Sequence, residues 1–194
     1  MRKSILYSAV GVIVLLIFLV IVSTKKQDTT STSSANIDST APAILDKQKV
    51  GSILTTSVDH YTQLFTAGKA MLGTTRYPNA TAGLQALNDP NSTASKFASF
   101  RTDTCIKNDP GTNVINAYRD VSNLYAAAHV KAPDTLDNWN IDLNNAASDI
   151  CLWAGDAIKW QISEITSTRL QINEEKITND FFHARTDVDK MLGD

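Results

Sequence analysis

The stretch LDNWNIDLNNAASDICLWAGDAIKW, Leu136 to Trp160, decides the fold class. Leu136, Trp139, Leu143, Ala146, Ile150, Trp153, Ala157 and Trp160 alternate by three and four without a miss. Residues at that spacing share one face of a helix, so together they make an apolar seam just over three heptads long. A strand repeats every second residue and cannot produce it. Pro133 and Asp134 stand where this helix opens.

Beyond Trp160 the register changes. Ile158, Ile162, Ile165 and Ile172 form a different stripe, and Ile177, Phe181, Ala184, Val188 and Met191 then resume a clean three-four pattern. The segment between is mostly polar. We read one long helix with a slip or bend near 163–176, its last part leaving the bundle. A short β-like segment at 166–172 is the lesser alternative.

Upstream of the seam the same periodicity recurs. Val50, Leu54, Val58, Tyr61, Phe65, Gly68 and Leu72 predict a helix with Gly73 at its C-terminal cap. Residues 73–88 read as loop with one short turn around Leu84 and Leu87. Asn88-Asp89-Pro90 and Asn108-Asp109-Pro110 each offer an aspartate N-cap followed by proline at the first helical position. The first opens a short helix carrying Phe97 and Phe100. The second opens one with Val114, Tyr118, Val121, Tyr125 and Ala128 on a stripe. The expected fold of residues 42–194 is therefore an all-α bundle of roughly four helices with a long C-terminal helix.

At the other end of the chain lies an uninterrupted apolar run, Ile5 to Val22, 18 residues long. As a helix it would measure about 27 Å, close to the thickness of a bilayer's hydrocarbon core. It is longer than the core of a signal peptide, and it exits through Val20-Ile21-Val22-Ser23-Thr24, with β-branched residues where a signal protease needs small ones. We therefore expect a retained transmembrane anchor at 5–23, after a short tail at 1–4. Arg2 and Lys3 on one side nearly balance Lys25 and Lys26 on the other. The short tail favours an N-terminus inside and residues 24–194 extracytoplasmic. Residues 24–41, rich in Ser and Thr, read as a flexible linker.

Without those four basic residues, 14 cations face 20 anions. A net negative domain argues against nucleic acid and against a grip on anionic headgroups.

Cys105 and Cys151 form a natural disulfide in a translocated domain. Trp139, Trp153 and Trp160 project from nearly one face and read as core or interface anchors, since a ligand cage needs rings converging from several directions. Asp142, Asp149 and Asp156 recur every seven residues beside the seam. Successive members lie about 10 Å apart, too far to share one metal or proton, so a solvated or salt-bridged flank is expected. His60, His129 and His183 fall one to a helix with no ligand spacing. No Gly-x-Ser-x-Gly or Ser-x-x-Lys supports a nucleophile. Asn79-Ala80-Thr81 and Asn91-Ser92-Thr93 match the glycosylation pattern.

With no catalytic motif, no cofactor and no metal site in view, the chain reads as a single-pass membrane protein whose helical module serves protein–protein interaction or envelope assembly. Its partner would be another envelope protein or a second copy, and not nucleic acid. The stripe Ile177, Phe181, Ala184, Val188 and Met191 is the expected partner-binding face. The alternative is a small-ligand-binding bundle of a sensing or uptake system, with Tyr61, Tyr118, Tyr125 and the tryptophans lining its core.

Overall fold

The computed structural model describes residues 43–74 and 76–193. The expected tail at 1–4, anchor at 5–23 and linker at 24–41 lie outside the described residues. Among the described residues no helix is long and apolar enough to cross a membrane.

The described chain is helical throughout, with no strand. Six helices follow one another: α1 (Lys47–Leu72), α2 (Ala80–Leu87), α3 (Thr93–Arg101), α4 (Pro110–Ala127), α5 (Asp134–Gln161) and α6 (Ser167–Gly193). A π-helical turn, Thr102–Lys107, continues α3. The all-α class is as the periodicity predicts, in six helices where roughly four were expected.

The N-terminal and middle helices carry the expected faces. The buried residues of α1 include all seven of its predicted positions, and the Gly73 amide closes the helix on the Lys69 carbonyl. Asp109 caps α4, accepting from the Gly111 amide, with Pro110 as the first helical residue. The matching motif at Asp89-Pro90 does not start a helix. Ser92 caps α3 instead, accepting from the Ser95 amide. Residues expected to be mostly loop form α2, capped by Asn79.

The largest correction lies at the C-terminus. There is no single long helix: the chain reverses at residues 162–166, and α6 runs back along α5 as a helical hairpin. Ser163 adopts a left-handed φ of 69°; its amide bonds to the Trp160 carbonyl and the Glu164 amide to the Lys159 carbonyl. This is a Schellman closure, which normally places glycine where Ser163 stands. The proposed β-like segment at 166–172 is the first part of α6 and the end of the turn.

The second correction follows from the first. Ile177, Phe181, Ala184, Val188 and Met191 are all buried and belong to the domain's own core. Folding back against α5 gives this stripe a partner within the chain, so it is not a free binding face.

The core centres on Trp153, fully buried, with Phe65 from α1 and Phe97 from α3 meeting it edge-on at ring separations of 5.1 and 5.6 Å. Phe181 of α6 meets Phe65 in a tilted arrangement at 6.3 Å. Gly68 makes this convergence possible: a Cβ there would sit 2.9 Å from both Phe100 and Trp153. Four elements are thus joined through one aromatic cluster, whose large rings give much of the apolar burial that holds the bundle together.

Candidate functional site

The outer seam of the α5–α6 hairpin is the most highly organised polar surface of the described domain. Its α5 side is the heptad of aspartates. Asp149 and Asp156 are buried at 9 and 6 % exposure, and Asp142 is half-buried. Its α6 side is a heptad of basic residues, Arg169, Lys176, His183 and Lys190, again seven apart. Because the helices run antiparallel, the two repeats meet in reverse order.

The pairs are close. Arg169 Nε lies 2.7 Å from Asp156 Oδ2, and the Asn173 amide donates to the same oxygen at 3.2 Å. Lys176 Nζ lies 2.6 Å from Asp149 Oδ2. The Asp149 carboxylate, accepting from Lys176 and attracting its charge, raises the lysine's pKa. His183 and Lys190 both favour the ionised form of Asp142, but desolvation outweighs them and its pKa is raised. Asp180 is raised for the same first cause, against the pull of Lys176. Of the aspartates expected on a solvated or salt-bridged flank, Asp149 and Asp156 are salt-bridged and buried in the hairpin interface. The basic heptad across from them escaped notice in the sequence, although its spacing is as regular as that of the aspartates.

Two clefts open along this seam. One, of about 320 Å³, lies toward the open end of the hairpin, between Asn138, Ile141 and Asp142 on α5 and Phe182, His183 and Lys190 on α6. Ile141 and Phe182 keep 55 and 67 % of their surface exposed beside it. The other, of about 260 Å³, lies nearer the turn, where Arg101 from the end of α3 faces α5 and α6.

Cys105, in the π-helical turn, and Cys151, on α5, form a disulfide with Cα atoms 5.7 Å apart. It ties the end of α3 to the wall of the second cleft.

The remaining sequence candidates are dispersed. Trp139 and Trp153 are core residues, and Trp160 is half-buried against the core. The Trp153 indole donates to Glu174, which pairs with Lys69 at 2.7 Å. Tyr61 donates its hydroxyl to the Pro110 carbonyl, and burial pushes its pKa up to about 12. Tyr118 donates to Asp137 at 2.6 Å, and Tyr125 is buried. These rings fill space between helices and do not line one chamber. His60 stacks edge-on with Tyr61, His129 ends α4 and His183 sits at the first cleft, so the three histidines do not converge. Among the described residues no group of three or more His, Cys, Asp or Glu could hold a metal ion. In the glycosylation-like motifs, Asn79 and Ser92 act as helix caps.

The chain matches no family model, no curated protein and no solved structure.

Proposed function

We propose that this protein is a membrane-tethered, extracytoplasmic helical module for protein–protein interaction or envelope assembly, with no catalysis of its own. The observation that carries this reading is the cleft that exposed Ile141 and Phe182 line together with Asp142, His183, Asp187 and Lys190. Exposed aromatic and aliphatic side chains beside charged groups supply the apolar anchors and polar contacts that a docking site combines. The partner-binding surface is thus assigned to the outside of the hairpin and not to the buried stripe of α6.

The apolar run at 5–23 and the Ser/Thr-rich linker support the tether. The cysteine pairing supports an oxidising, translocated setting. The four long helices, α1, α4, α5 and α6, would form the body of the bundle. Another envelope protein is the expected partner.

Photo-crosslinking in cells from Asn138 and Thr186, which line the cleft, tests the proposal. One discrete protein adduct, lost in Phe182→Glu, is expected. Adducts only to a second copy would change the partner to the chain itself. Adducts that survive Phe182→Glu, or none at all, would remove the cleft as a docking site.

A further inference from the structure

We propose that the second cleft, beside the disulfide and near the hairpin turn, binds a phosphate group of a small ligand or headgroup. The domain is acidic, yet this cleft gathers Arg101, Lys159 and Arg169 around one carboxylate, Asp156. Three cations against one anion leave a local charge of two, matched to a phosphate dianion. Arginine forks and lysine are the side chains that recognise such oxyanions.

Arg101 is the decisive residue. Its Nε is buried without a hydrogen-bond partner, and its guanidinium forms no ion pair among the described residues. A buried polar atom of that kind costs free energy unless something accepts from it. It lies against α5: a Cβ built at Gly155 would meet Nε at 3.5 Å, an ordinary contact distance. The disulfide four residues on holds the end of α3 against the same helix.

The other cations have donors to offer. Lys159 Nζ stands 3.7 Å from Asp156 Oδ1, a loose ion pair that leaves the ammonium group free to turn. Arg169 meets Asp156 through Nε, and the Asn173 side chain lines the same wall. At about 260 Å³ the cleft falls below the roughly 300–1,000 Å³ that encloses whole drug-sized ligands, which suits a head group with the rest of the molecule outside. Leu152, 65 % exposed at the rim, offers that remainder an apolar contact.

The test uses the full chain in phosphatidylcholine nanodiscs, titrated with inorganic phosphate and followed by phosphorus NMR. Saturable binding is expected, weakened about tenfold by Arg101→Gln and by Lys159→Gln, as for loss of one charged hydrogen bond. Asp156→Asn is expected to tighten binding severalfold, because it removes the competing carboxylate; a merely structural Asp156 would not do this. Repeating the titration with phosphatidic acid in the disc separates the sources. A raised midpoint for free phosphate assigns the cleft to a lipid headgroup, and an unchanged one to a soluble phosphomonoester. Absence of saturation, or binding that both Arg101→Gln and Lys159→Gln leave unchanged, would overturn the proposal.

Discussion

Asp180 shows how single residues of the hairpin seam carry opposing demands. Burial between the helices raises its pKa, and the like charges of Asp149 and Asp142 add to the rise, while Lys176 and His183 oppose it. An acid whose pKa is higher folded than unfolded binds more protons in the native state. Its contribution to stability is therefore greatest below the ordinary aspartate value and declines as pH rises through the folded one. Asp180→Asn should stabilise the protein at neutral pH by a few tenths of a kcal/mol, the effect being reduced by solvent screening. That advantage should shrink as pH falls through the raised Asp180 pKa, where the aspartate becomes neutral too. Urea unfolding at neutral pH and near pH 4 measures both; a variant less stable at neutral pH, or a gain that ignores pH, contradicts this account. The aspartate heptad was legible in the sequence. The burial of Asp149 and Asp156 was not, because it depends on a helix whose return path no local pattern announces.

Helix ends explain which elements the sequence disclosed and which it hid. Asp109-Pro110 and Asp89-Pro90 look alike, yet only the first opens a helix, since Ser92 competes successfully for the cap of α3. Two Schellman closures lack their glycine. At the end of α4, His129 takes φ 56°, with its amide on Ala126 and the Val130 amide on Tyr125; Ser163 does the same after α5. A side chain in the left-handed region costs about 1–2 kcal/mol. His129→Gly should therefore raise stability by about 1 kcal/mol, read as a higher urea midpoint with unchanged slope; a lower midpoint would show that the imidazole has a supporting contact. Ser163→Gly should gain less, because the Ser163 hydroxyl donates to the Tyr77 carbonyl at 2.7 Å and would be lost. The polar stretch around this turn looked like an irregular helix because the residue that usually marks a reversal is missing.

For the whole molecule the disulfide and the hairpin seam work together, one joining α3 to α5 and the other α5 to α6. Reducing a bridge between residues 46 apart should cost about 4 kcal/mol through loop-closure entropy. Cys105→Ser/Cys151→Ser should show the loss in urea, and addition of a reductant should reproduce it in the natural protein. A loss well under 1 kcal/mol would mean that packing alone holds α3 in place. The amino-acid sequence by itself determined the helical class, the core faces of α1 and α5, the aspartate heptad and the plausibility of the cysteine pair, because each rests on spacing along one chain or on which residue types are present. Only the tertiary structure decided that the last two helices fold back on each other, burying Ile177 to Met191 and setting Arg169 and Lys176 against Asp156 and Asp149. It alone brought Arg101 to the same wall. An apolar stripe records that a face will be buried but not what will bury it, and the answer depends on contacts between residues far apart in the chain.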